Sequence, residues 1–456
     1  MKSQNLFYLI LPVLLLGSFA CRQEQKQAQN TSGVQQVKHP DWSTNVSIYE
    51  VNVRQYTPEG TFEALEGHLP RIKELGTDII WLMPVHPIGE VNRKGTLGSY
   101  YSVKDYKGIN PEFGDAMSFK KFVKRAHEEG LKVIIDWVAN HSSWDNDLVK
   151  QHPEWYAKDS AGKMFSPFDW TDVVKFDFNN QELRAYMTDA MKFWITEYDI
   201  DGFRCDVAGE VPMDFWDNAR TELDKIKPVF MLAEAEGPQF HTAFDMTYGW
   251  EFHHIMNKIY KGEATSNDVE KYLMKNDSVY PQDAYRMYFI TNHDENSWNG
   301  TEYERLGNAV ETFFALSTVI PGMPLVYTGQ ESAMNKRLQF FEKDPVEWGD
   351  YQKAEFYQTI LDLKEQHEAL YNGEKGGTWK RIKTDNDNNG AFVILREKGQ
   401  KQVVGIFNLS AQEITIAMDD ENINHQFKTL FTAEDITVDK NTRVRLPAWS
   451  YKILYR

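Results

Sequence analysis

Cysteine is almost absent: the 456 residues hold two, Cys21 and Cys205, in such different contexts that a structural disulfide between them is not expected. No Cys/His cluster with metal-ligand spacing is visible, and no organic cofactor is expected. Basic residues are outnumbered, 50 Lys and Arg against 67 Asp and Glu, for a net charge of -17. That balance excludes nucleic acid as a partner, because phosphates demand Lys and Arg patches. A neutral substrate fits better. The chain also shows no internal repeat.

The apolar run Leu6–Leu16, broken by Pro12, falls short of the roughly 20 residues that cross a bilayer as a helix. With Lys2 before it and Gly17–Ser18–Phe19–Ala20–Cys21 after it, the run reads as an export signal. A cysteine directly after a small residue resembles a bacterial lipobox, in which Cys21 is acylated, although Ser18 and Phe19 depart from the commonest pattern. Residues 1–21 are therefore read as signal and lipobox, and 22–40, rich in Gln and poor in apolar residues, as a flexible tether. The expectation is an exported protein lipid-anchored at Cys21 in the bacterial cell envelope.

What is plentiful is aromatic: 14% of residues, including 13 Trp and 22 Tyr. Most such rings fill cores, and some are free to stack on sugars. From Trp42 onward strand-like and helix-like patterns alternate, which favours a parallel sheet wrapped by helices. Eight strands are expected, beginning near Ile48, Ile79, Val133, Gly202, Val229, Ala243, Met287 and Pro324. Phe62, Leu65, Leu69, Ile72 and Leu75 predict one helix ended by Gly76; Phe119, Phe122, Val123 and Ala126 predict another. Periodicity vanishes from Trp144 to Asn180, and so long a stretch inside a barrel marks an inserted element. After about Tyr371 short β-like runs separated by Asn, Asp and Gly turns predict a small antiparallel domain. The expected architecture is a (β/α)8 barrel over 41–143 and 181–370, an insert over 144–180 and a C-terminal β-sandwich over 371–456.

Catalytic groups of parallel barrels sit at the C-terminal ends of strands. Asp136, Asn140 and His141 follow the third strand, Asp206 the fourth, Glu234 the fifth, and His293 and Asp294 the seventh. Arg204 and Asp206, two apart on a strand, leave the same face. The guanidinium is expected to hold the Asp206 carboxyl low and ionised, as a nucleophile requires; the alternative is a buried ion pair that only ties the barrel together. Glu234 ends the apolar run Val229–Ala233, and apolar surroundings raise a carboxyl pKa, as a general acid requires. His293–Asp294 suits gripping two adjacent hydroxyls while positive charge develops on a sugar ring, but a lone His–Asp is more often a hydrogen-bonded pair. Asn140 is a candidate oxygen ligand for calcium.

In order and spacing, the segments Asp136–His141, Gly202–Asp206, Glu234 and Asn292–Asp294 resemble the conserved regions of the α-amylase family of glycoside hydrolases. Gly98–Val103 is similar to that family's strand-two loop and Gly322–Glu331 to its eighth-strand segment. The resemblance implies Asp206 as nucleophile, Glu234 as acid/base, Asp294 as transition-state stabiliser, and Tyr101, His141, Arg204 and His293 as sugar-binding residues. It implies retaining cleavage of α-1,4-glucosidic bonds in starch-like polymers or maltooligosaccharides. Gly209–Glu210 stands where typical α-amylases carry Lys–His, closer to the neopullulanase and cyclomaltodextrinase branch. The alternatives are a 4-α-glucanotransferase, a pullulan- or cyclodextrin-degrading enzyme, and a non-catalytic glycan-binding lipoprotein.

Overall fold

The structure, a computed structural model, describes residues 37–387, 390–418 and 420–456. The signal, the lipobox Cys21 and residues 22–36 of the tether lie outside the described residues; the end of the expected tether is held instead, His39 lying 2.7 Å from Asp245 Oδ1 and stacking on Tyr285. No described helix is long and apolar enough to cross a membrane.

Eight parallel strands close a barrel: β1 Ile48–Val51, β2 Ile79–Leu82, β3 Lys132–Trp137, β4 Gly202–Cys205, β5 Phe230–Ala233, β6 Met246–Tyr248, β7 Tyr285–Tyr288 and β8 Met323–Tyr327. Each strand pairs with its sequence neighbours, and β8 pairs with β1. The strands are buried nearly throughout, as expected where helices cover one side and packed side chains fill the other. Ile48, Ile79, Trp81, Ile134, Leu232 and Met287 belong to the cluster inside the barrel. Gly202 opens β4 because nothing larger fits: a Cβ there would lie 1.9 Å from the Phe230 carbonyl oxygen.

The helices follow their sequence signals. Ala116–Glu128 starts with a capping box between Asp115 and Ser118 and turns Phe119, Phe122, Val123 and Ala126 inward. Gln181–Tyr198 is capped by the Asn180 side chain, which accepts from the N–H groups of Glu182 and Leu183. The single helix expected over 62–75 is two helices, Phe62–Glu66 and Leu69–Glu74. Pro70 has no N–H to give to the first helix and starts the second instead.

The stretch without periodicity is not structureless. His141–Ser143 pairs antiparallel with Val173–Lys175, so the small sheet begins three residues before the expected start of the insert. The chain ends in a six-stranded antiparallel sheet, in the order 378–382, 391–398, 401–408, 450–455, 426–429 and 435–437, with a second pair, 414–417 and 443–446, packed on it.

Candidate active site

Strand ends bring the chemistry together. The N–H of Asp206 donates to the Trp137 carbonyl at 3.0 Å and that of Glu234 to the Cys205 carbonyl at 3.0 Å, each one ladder bond past the end of its strand. Both side chains therefore emerge at the mouth, where they line a cavity of about 430 Å³ with Tyr101, His141, His293 and Asp294. Six of the eight residues expected to form the site line this one cavity; Arg204 lies directly beneath it and Asn140 beside His141.

Arg204 is fully buried and organises the floor. Its Nη1 lies 2.9 Å from Asp136 Oδ1 and 2.9 Å from Asp206 Oδ1, and its Nη2 lies 2.9 Å from Glu234 Oε2. Nε donates to Tyr248 Oη at 3.1 Å. One guanidinium thus serves three carboxyls, and the low pKa expected for Asp206 is reversed. Burial outweighs Arg204, with Asp136 and Asp294 adding to it, and Asp206 is pushed up to about 6. Glu234 is pushed up to about 7, by burial first, against Arg204 and with Asp206 and Asp294. Burial also lifts Asp136 to about 6 against Arg204. The three groups share one cation and titrate together.

A hydrogen-bonded chain orients the opposite wall. Tyr101 Oη donates to Asp136 Oδ2 at 3.0 Å and lies 2.9 Å from His293 Nε2. His293 Nδ1 lies 2.5 Å from Glu50 Oε1, and Nε2 lies 3.3 Å from Asp294 Oδ2. Burial pulls the imidazole down, but Asp294 and Glu50 prevail and raise it to about 9. His293 is therefore imidazolium at neutral pH, and both ring nitrogens donate. His141 is the opposite case: burial lowers it to about 3, so it stays neutral.

Asn140 lies beside His141 and contacts it. Its Nδ2 lies 3.2 Å from His141 Nδ1 and its backbone carbonyl accepts from the Phe176 N–H, so it helps to hold His141 in position. Among the described residues, the one group of three or more His, Cys, Asp and Glu side chains spaced for a metal is His152, Glu154 and Glu182.

Glu50, Trp81 and Tyr248 escaped the sequence reading. Trp81 Nε1 donates to Asp136 Oδ2 at 3.3 Å, and Arg204 lies 5.0 Å from the Trp81 ring centroid. Glu50 sits one residue before the end of β1, a position where an acid in an apolar strand signals a buried partner. The aromatic rim, Trp170 on the insert and Trp298, Phe340 and Phe341 beyond β7 and β8, comes from loops with no periodicity to read.

The chain resembles known proteins along most of its length. The family profile described as alpha amylase, catalytic domain, matches residues 27–175 and 149–372. A solved maltogenic α-amylase from Thermotoga neapolitana is 32% identical and superposes with a TM-score of 0.82 over 90% of this chain and 98% of that one. The α-amylase of Haloarcula japonica is 28% identical over 71% of this chain and 49% of its own length, so the chain spans about half of that relative. A cyclomaltodextrinase from Geobacillus thermopakistaniensis is 24% identical over 87% of this chain and 70% of that protein. With the profile spanning the whole barrel and the strand-end acids converging on one cavity, the chain belongs to the α-amylase family of glycoside hydrolases.

Proposed function

We propose that the protein is a retaining α-glucan hydrolase with Asp206 as nucleophile, Glu234 as acid/base and Asp294 as stabiliser of the transition state. The observation that carries this reading is the shared guanidinium: Asp206 on Nη1 and Glu234 on Nη2 of Arg204. A common fork keeps two carboxyls close, in keeping with the roughly 5 Å separation of retaining enzymes rather than the wider gap that admits a water.

In the first step Asp206 attacks the anomeric carbon. The bond to the leaving oxygen breaks, and that oxygen takes the proton of Glu234. Oε2 of Glu234 already faces Arg204 Nη2 and accepts from the Val207 N–H at 2.7 Å, so the proton resides on Oε1. Positive charge developing on the ring faces Asp294. In the second step Glu234, now ionised, takes a proton from water, whose oxygen attacks the anomeric carbon and releases Asp206. Tyr101, His141 and His293 hold ring hydroxyls, His293 as a charged donor.

The substrate class is α-1,4-linked glucan. The likeness to a maltogenic amylase, together with Glu210 after the nucleophile, favours maltooligosaccharides over intact starch. A 2-fluoro-maltosyl fluoride that traps the glycosyl-enzyme tests the assignment. Mass spectrometry is expected to find the sugar on the peptide containing Asp206; an adduct elsewhere, or none during turnover, refutes it. Export and lipid anchoring at Cys21 belong to the same proposal, supported by the signal-like N-terminus. Labelled palmitate is expected to enter the full chain and not its Cys21→Ala variant.

A further inference from the structure

We infer that the cleft is walled off on its glycone side by residues 92–98, so that the enzyme attacks α-glucan chains from their non-reducing ends. The inference rests on the assignment of Asp206 and Glu234 above, and its test separates the two.

Residues 92–98 leave the barrel after β2 and cross part of its mouth. On one side they are tied to the insert: Lys94 Nζ lies 3.2 Å from Asp172 Oδ1, and Asn92 Nδ2 donates to the Thr171 carbonyl at 3.4 Å. On the other they are tied to the segment that follows β8. The Leu97 N–H donates to the Phe341 carbonyl at 3.0 Å, and the Thr96 N–H to Glu342 Oε1 at 2.9 Å. Gly95, at φ +62°, presses against this second anchor so closely that a Cβ would lie 2.5 Å from Phe341 Cβ. From beneath, the buried Arg54 donates to the Gly98 carbonyl at 3.1 Å and to the Leu97 carbonyl at 3.2 Å. A segment held at both ends and from below is a wall rather than a mobile flap.

The wall belongs to the catalytic cavity. Lys94 and both anchors, Asp172 and Phe341, line the same space as Asp206 and Glu234. At about 430 Å³ that space is near the small end of the roughly 300–1,000 Å³ of small-molecule sites, room for a short oligosaccharide end.

Topology gives the direction. The wall runs from the β3 side, over β2, to the β8 side, whereas Glu234 follows β5, three strands from β2 one way and five the other. The leaving-group oxygen must meet Glu234, so the aglycone leaves on the unwalled side. The glycone then points at residues 92–98, and a chain continuing past it has no exit.

The test compares maltoheptaose with maltoheptaose carrying a 4,6-ethylidene group on its non-reducing glucose. The free sugar is expected to be cleaved, and the blocked one about 100-fold more slowly, a steric rejection at the upper range of pocket discrimination. Equal rates overturn the wall and leave the catalytic assignment standing; cleavage of neither sugar overturns that assignment itself. Gly95→Tyr forces the segment off Phe341 and Glu342. A variant folded by circular dichroism is expected to narrow the free-to-blocked ratio at least about tenfold; an unchanged ratio assigns the block to some other part of the cleft.

Discussion

Val207 donates its backbone N–H to Glu234 Oε2 at 2.7 Å, and it does so from φ 35°, ψ 48°, a left-handed conformation that a β-branched residue rarely adopts. The residue immediately after the proposed nucleophile is thus strained so that the proposed acid is oriented. Left-handed backbone costs a non-glycine residue about 1–2 kcal/mol. Val207→Gly is therefore expected to leave stability within about 1 kcal/mol of wild type, the strain relieved offsetting the entropy glycine loses on folding. Activity is expected to persist, since the N–H remains. Urea unfolding and initial rates check this; a loss of several kcal/mol would show that the conformation carries no strain.

Three carboxyls crowded on one cation oppose folding while serving catalysis, so removing one charge is expected to separate the two. Glu234→Gln keeps the shape and the acceptor for Val207 but cannot carry the proton. Its kcat is expected to fall about 10²–10⁴-fold on substrates with poor leaving groups. Its melting temperature is expected to equal or exceed that of the wild type. A variant that is both inactive and markedly less stable would place Glu234 in the frame of the barrel rather than in its chemistry.

The raised carboxyls set two pH dependences. Catalysis needs Asp206 ionised and Glu234 protonated, with values of about 6 and about 7, so kcat/KM is expected to peak between them and fall on either side. Asp294 is among the charges holding Glu234 up, so in Asp294→Asn the residual activity is expected to lose its alkaline limb at lower pH. For stability the sign is the reverse of the usual acidic case. A carboxyl raised on folding binds its proton more tightly in the folded state, so these groups favour folding most below their unfolded values near 4. That contribution is lost as pH rises toward 7, and Asp206→Asn is expected to flatten this part of the stability curve. Urea midpoints across pH 4–8 for both proteins decide it.

What the sequence disclosed and what it concealed divide along periodicity. The eight strands were legible because a strand buried on both faces reads as a continuous apolar run, as in Val133–Ile135 and Val229–Ala233. Asp206, Glu234 and Asp294 were legible because strand ends position them and because their order resembles a known family. The sign of the Asp206 shift was not, since Arg204 was read as its private partner, and only three-dimensional contact shows Asp136 and Glu234 sharing that cation. The hairpin of His141–Ser143 with Val173–Lys175 was hidden because its strands are three residues long and 29 residues apart, too short for alternation to register. The wall over 92–98 was hidden because its order comes from distant anchors, Asp172 and Phe341, and not from any local pattern.

Glu50 is the test of how far the site extends below the cavity. It lies fully buried in β1, touches no part of the cavity, and acts through His293 Nδ1. Glu50→Gln keeps the side-chain shape and withdraws the charge, so the His293 imidazolium loses one of the two anions that hold it near 9. A histidine raised on folding contributes stability that is fully present below its unfolded value of about 6.5 and lost as pH climbs through 9. The variant is therefore expected to be less stable than wild type by about 3 kcal/mol at pH 6, as for other buried pairs that lose one partner, with the gap narrowing above pH 9. Because a neutral His293 donates from one nitrogen instead of two, KM is expected to rise and kcat to fall together. The imidazole proton resonances of the two proteins, followed by NMR from pH 5 to 10, are expected to show His293 titrating at lower pH in the variant. An unshifted titration would mean that Asp294 alone sustains the charge and that Glu50 is packing.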